Sequence, residues 1–220
     1  MDLDEFVSTH APKDGGQAFD LESSKMLDVA LDGSVMAKAG SMTAYTGDIS
    51  FERKSAGGLK GMLKSKATGE GAVMMEATGS GHLYLADHGK EVQILELDAG
   101  EEISVNGNDV LAFESGVDWD IRMMSSIGGT SSGGLFNVFL EGPGHVAITT
   151  HGSPLVLPTP VSTDPNATVA WSGNVSPSTK RDLNIKGFLG RSSGETFQLH
   201  FTGEDGFVIV QPYEESQPGQ

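Results

Sequence analysis

The sequence predicts an all-β fold, and three observations carry that prediction. Glycine is abundant, with thirty among 220 residues, short apolar-polar alternations are bounded by turn signals, and one glycine-histidine segment recurs along the chain. In "TFQLHF", Phe197, Leu199 and Phe201 fall on one face while Thr196, Gln198 and His200 fall on the other, the period of a strand with one buried side. "VALDGSVMAKA" predicts a two-residue hairpin turn at Asp32-Gly33, and Asn106-Gly107 repeats the signal in "ISVNGNDVLAF".

The recurring segment reads "GSGHLYLADHG" from Gly79 to Gly89 and "GPGHVAITTHG" from Gly142 to Gly152, an offset of 63 residues, with matching ends and histidines. Upstream, "GAVMMEATG" aligns with "GLFNVFLEG", and downstream "VLAF" at Val110 aligns loosely with "TVAW" at Thr168. A third, degraded copy, "ETFQLHFTGEDGFVIVQ", has one extra residue between its glycines. Each unit reads as strand, glycine turn, strand, so repeated hairpins near residues 71–113, 134–171 and 195–211 are expected to stack around a shared core. They lie in one β domain, 26–211, between an acidic N-terminal segment, 1–25, and a tail, 212–220.

Composition removes several function classes. Fourteen Lys and Arg against thirty Asp and Glu give a net charge of −16, which repels phosphate backbones, so no nucleic-acid partner is expected. The absence of cysteine excludes disulfides, thiolate metal ligands and a cysteine nucleophile. No apolar run approaches spanning length, and the first residues lack the basic and apolar regions of a secretory signal, so a cytoplasmic location, at most peripheral to a membrane, is expected.

Four groups of residues carry possible chemistry. His82, His88, His145 and His151 occupy equivalent places in two repeats and could together ligate a transition metal. Turn positions before Gly89 and Gly152 explain His88 and His151 without a ligand, His82 and His145 are expected to begin strands, and no carboxylate recurs beside them, so the structural reading is preferred. "GTSSG" around Ser131 fits a hydrolase nucleophile pattern but lies in a Gly/Ser segment without the required strand and helix flanks. "VDWDI" places Asp118 and Asp120 opposite Trp119, which reads as a solvated face over a core contact. Arg53, Lys54, Lys60, Lys64 and Lys66 form a basic stretch with Leu59, Met62 and Leu63 between them, a candidate dock for a protein partner or an anionic membrane surface, or else a connector.

Several ordered segments resemble the altered inheritance of mitochondria protein 24 family: "GSVMAKAGSMTAYTGDISF", "GEGAVMMEATGSGHLYLADHG", "LELDAGEEISVNGNDVLAFESGVDWDI", "GGLFNVFLEGPGHVAITTHG" and "FTGEDGFVIVQ", spanning Met26 to Gln211. The resemblance implies a duplicated β-sandwich like that of the tryptophan RNA-binding attenuation protein (TRAP-like), within the double-stranded β-helix group, and assembly into ring-like homotrimers. It implies no catalytic residues and no cofactor. Fungal members are associated with the mitochondrial inner membrane, but Asp2, Asp4, Glu5, Asp14 and Asp20 are unlike an acidic-poor presequence, so a bacterial-type member is expected. The closing repeat departs from the family's G-x-G spacing at "GEDG". The leading expectation is a non-enzymatic oligomeric scaffold or binding module. The alternative is a metal-dependent enzyme of cupin type using the repeat histidines, although the chain has no His-x-His.

Overall fold

The structure, a computed structural model, describes residues 1–13, 15–54, 74–123, 136–180 and 198–214. Asp2 caps a short helix, α1 (Leu3–Thr9), by accepting the Glu5 N–H, but the helix has no buried face and stands as an appendage. The remaining described elements are strands. In the first half they are β1 (Phe19–Ser23), β2 (Met26–Lys38), β3 (Met42–Lys54), β4 (Met74–Leu85), β5 (Glu91–Leu97), β6 (Glu102–Asn106), β7 (Val110–Glu114) and β8 (Asp118–Met123). In the second half they are β9 (Phe136–Glu141), β10 (Gly144–Thr150), β11 (Leu155–Pro158), β12 (Val161–Thr163), β13 (Thr168–Ser172), β14 (Ser176–Lys180), β15 (Gln198–Thr202) and β16 (Phe207–Val210). The chain is all-β, as its sequence predicts.

Three antiparallel sheets result. The first has the order β3-β4-β2-β7-β10-β5 with β1 also on β2, the second β11-β16-β13-β6-β9-β8, and the third β12-β15-β14. One edge of β2 carries β4 for its whole length, while the other is shared between β1 at Met26–Val29 and β7 at Val35–Ala37. The first sheet rolls on itself: β5, at one end of its path, touches β1 and β2, and the Val92 N–H donates to the Ser24 carbonyl at 2.8 Å. Rolling encloses Leu27, Val29, Leu83, Leu85, Leu111 and Ala147. The other face of this sheet supplies Phe113, Val146 and Ile148 to a second core, met by Ile103, Val138, Leu140 and Val169 from the second sheet. A third, smaller core joins Trp171 and Val208 to Leu199 and Phe201, which are buried as the alternation in "TFQLHF" predicts.

The folded part starts earlier than the expected boundary at residue 26, because Phe19 is buried and β1 pairs with β2. The turn signals need a larger correction. Asp32-Gly33 is not a hairpin turn, since β2 runs through it unbroken and pairs residue by residue with β4 from Leu27↔Leu85 to Lys38↔Met74. Asn106-Gly107 does turn, with the Asp109 N–H donating to the Asn106 carbonyl at 2.8 Å, but β6 and β7 belong to different sheets and form no hairpin.

The repeats are corrected in the same way. In the second copy the glycines separate β9, in the second sheet, from β10, in the first, and in the third copy they separate β15, in the third sheet, from β16, in the second. In the first copy Gly79 and Gly81 lie inside the single strand β4. The shared glycines therefore do not mark hairpin turns: in the first copy they bend one strand, and in the other two the backbone passes from one sheet to another. Gly79, Gly81, Gly144 and Gly203 all have φ between 138° and 143°, a conformation that a side chain disfavours.

Candidate interaction surface

The ribbon β2-β4-β3 bends where its glycines meet. Gly79 stands between Gly33 and Ile49, and Gly81 stands between Leu31 and Gly47. Tyr45 and Phe51 are six residues apart on β3, about 20 Å along a straight strand, yet their ring centroids are 5.4 Å apart in an edge-to-face contact. Only a sharp fold of the strand at Gly47 brings the two rings together. The bend leaves no room for side chains inside it, because a Cβ added to Gly79 or Gly81 would overlap the carbonyl oxygens of Asp48 or Thr46.

Beside the bend lies an exposed apolar edge. Met42, Tyr45 and Phe51 face the same side as their β4 partners Leu85, Leu83 and Ala77, all three buried in the rolled core. The core face thus continues onto β3 and emerges: Met42 is 40% exposed, Tyr45 46% and Phe51 38%, while Ile49 alone on this strand is buried. The outer edge of β3 has no strand partner among the described residues. Long apolar edges are what soluble proteins otherwise cover, charge or pair.

The other face of the ribbon is polar. His82 lies within β4 rather than at its start, and its Nδ1 is 3.0 Å and 3.1 Å from the two oxygens of buried Asp28 on β2, so the carboxylate accepts the Nδ1 proton. Its ring stacks on Tyr84 at 6.3 Å. Burial first, then the carboxylates of Asp28 and Glu22, push the Tyr84 hydroxyl above its ordinary value of 10.0. The folded state therefore holds this proton more tightly than the unfolded chain, and its contribution to stability is present below pH 10 and falls as pH rises through the folded value. In a Tyr45→Phe/Tyr213→Phe background, the ultraviolet phenolate signal of Tyr84 is expected to appear above pH 10 and to move lower in Asp28→Asn. An unmoved titration would remove Asp28 as a cause.

The remaining histidines do not share this environment. His88 follows β4 in a turn at φ 46°, with 92% of its side chain exposed. His145, second residue of β10, stacks on Phe19 at 6.0 Å, and its Nδ1 is 3.3 Å from Glu114 without a hydrogen bond. His151 follows β10 and packs against Tyr213 with ring centroids 4.2 Å apart in a tilted contact. β2 and β7 lie between the strands of His82 and His145, which take different carboxylates, and among the described residues no three His, Cys, Asp or Glu side chains converge as a metal site. Asp118 and Asp120 are exposed on β8, with Trp119 packed against Phe113 at 5.8 Å. Arg53 is exposed on β3, and Lys54 pairs with Glu52 at 2.9 Å and Glu76 at 3.0 Å, an arrangement that raises the lysine above its usual pKa of 10.5. Lys60, Lys64, Lys66 and Ser131 lie outside the described residues.

Sequence reasoning missed a buried ionic cluster. Lys90 and Asp109 pair at 2.7 Å, Lys38 and Asp87 pair at 2.8 Å, and Thr149 donates from its hydroxyl to Asp87 at 3.4 Å and from its N–H to the Asp109 carbonyl at 2.7 Å. This cluster ties the end of β2 to the loops after β4 and β6 and to the end of β10. The only local signal was the charge on both sides of "HG" in "ADHGK".

Among the described residues no helix is long and apolar enough to cross a membrane. A Streptococcus pyogenes protein solved by a structural-genomics consortium has a similar fold, with a TM-score of 0.66 and 22% identity over 89% of this chain and 92% of that one. No curated protein matches the chain. The model of the AIM24 family, described as mitochondrial biogenesis AIM24, matches residues 19–213, from the first strand of the rolled sheet to the tyrosine after the last strand, and the chain belongs to that family.

Proposed function

We propose that the protein is a non-enzymatic scaffold that works as a homo-oligomer, a ring-like trimer, in the cytoplasm. The observation that carries this reading is the apolar edge of β3, where Met42, Tyr45 and Phe51 extend the core face into solvent on a chain of net charge −16. A monomer of that charge gains nothing in solubility from such an edge, whereas a contact that covers it removes apolar surface from water. The cysteine-free composition suits a reducing compartment.

Light scattering at micromolar concentration should return about three times the chain mass of 23.0 kDa. Tyr45→Asp/Phe51→Asp should return the single-chain mass with an unchanged far-ultraviolet spectrum, because both side chains are already wet in the isolated chain. A parent protein that scatters as one chain would refute the scaffold reading.

A further inference from the structure

We propose that the surface received by β3 is the β11 arm of a neighbouring copy, so that copies join head to tail through two different faces. This rests on the oligomeric reading above and names its contact. The arm carries the most exposed large apolar side chains of any described strand: Leu155 is 56% exposed and Val156 57%. These neighbours point to opposite faces of β11, so the strand is bare on both sides. Leu155 pairs with Val210 on β16, and the chain leaving β16 brings exposed Tyr213 against His151, which widens the patch with two rings in tilted contact.

Charge selects the occupant. Two copies at −16 each repel, so they can approach only where both faces lack carboxylates. From Gly142 to Thr179 the chain carries one charged side chain, Asp164, and within that stretch Ser153, Leu155, Val156, Pro158 and Pro160 are exposed. On the receiving side, Ala39 to Gly47 is also free of charge and contains Met42 and Tyr45. The strands that carry the exposed apolar residues of these two stretches, β11 and β3, each stand at the end of a sheet.

Proline decides how they meet. Pro154, Pro158 and Pro160 in and beside β11 lack the N–H that strand addition requires, so the arm offers side chains and not a continued ladder. Apolar side chains packing onto the exposed edge of β3, against Met42 and the Tyr45 and Phe51 rings, satisfy both faces. Because the two faces differ, the contact is heterologous and generates a closed ring when the rotation closes.

The natural absence of cysteine permits a direct test. Met42→Cys and Ser153→Cys stand at exposed positions on the two segments, and Met42 lies on the apolar side of β3. With a short bis-maleimide, Met42→Cys/Ser153→Cys should give a covalent ladder ending at the number of chains found by light scattering, and each single variant should stay largely uncrosslinked. Val156→Asp should lower the scattering mass to one chain with secondary structure retained. Efficient dimers from Ser153→Cys alone would show a two-fold contact and overturn the proposal. So would an oligomer that the double variant fails to cross-link, which would leave the scaffold reading standing with its faces elsewhere. Flotation of the parent with phosphatidylglycerol vesicles, lost in Val156→Asp at unchanged mass, would assign the arm to a membrane. A single-chain parent would refute the scaffold reading itself.

Discussion

Gly81→Ala is expected to cost about 4 kcal/mol, much of the 5–15 kcal/mol by which a typical domain is stable. Two effects add. At φ 138° a side chain meets backbone strain of about 1–3 kcal/mol. The new Cβ also overlaps the Thr46 carbonyl oxygen on β3, and overpacking against backbone costs roughly 1–3 kcal/mol more. Two other glycines separate the effects. Gly33 has φ 123° with nothing within 4 Å of an added Cβ, so Gly33→Ala should cost only the strain, about 1.5 kcal/mol. At Gly144 the Cβ would meet the ends of the Glu114 and Val117 side chains at 2.9 Å, which can move, so Gly144→Ala should fall between. Urea denaturation of the three variants tests the order. Equal losses at Gly33 and Gly81 would mean that the close approach of β3 and β4 contributes nothing.

The same glycines show what the sequence could and could not reveal. A glycine in a polar neighbourhood signals that a positive φ is needed, and the structure has such angles at Gly33, Gly79, Gly81 and Gly144. That signal is local, whereas the difference between a hairpin and a corner depends on which strand lies alongside. At Asp32-Gly33 the partner is β4, forty-odd residues away, and its own glycines bend with β2. Nothing within "LDGSV" carries that information. Strand periodicity, by contrast, is set by the burial of alternate side chains and was readable at Leu199, Phe201 and Trp119. Family membership was readable for a third reason, the order of several motifs along most of the chain.

The apolar edges were not legible. Tyr45 and Phe51 look like core residues in "TAYTGDISF", and Leu155 and Val156 look like core in "SPLVLP". Their exposure follows from the places of β3 and β11 at the ends of their sheets, which is a property of strand order alone. For the histidines the shared pocket is the less favoured reading of the sequence, and matching positions in two repeats are all that suggests it. β4 stays one strand where β9 and β10 split between sheets, so His82 and His145 have different neighbours.

Asp109→Leu should destabilise the protein by about 3–5 kcal/mol, the usual result of removing one partner of a buried ion pair. Lys90 has 7% of its side chain exposed and Asp109 1%, so water cannot take over the lost interaction. Lys90→Met should cost a similar amount, since it removes the same contact from the other side. The double variant Lys90→Met/Asp109→Leu should recover most of the loss, because desolvation of two charges disappears together with their attraction and apolar side chains of similar size fill the space. The exposed pair of Arg122 with Asp120 provides the contrast: at 3.0 Å its geometry is good, yet both side chains are more than half exposed, and Asp120→Ala should change stability by less than about 0.5 kcal/mol. Salt separates the two cases again, because screening weakens the surface pair and leaves the buried one nearly untouched. Denaturation curves for the four variants at low and high salt give the coupling energy directly. Single losses that simply add in the double variant would show that Lys90 and Asp109 act on stability independently, each through the rest of the cluster around Asp87 and Thr149.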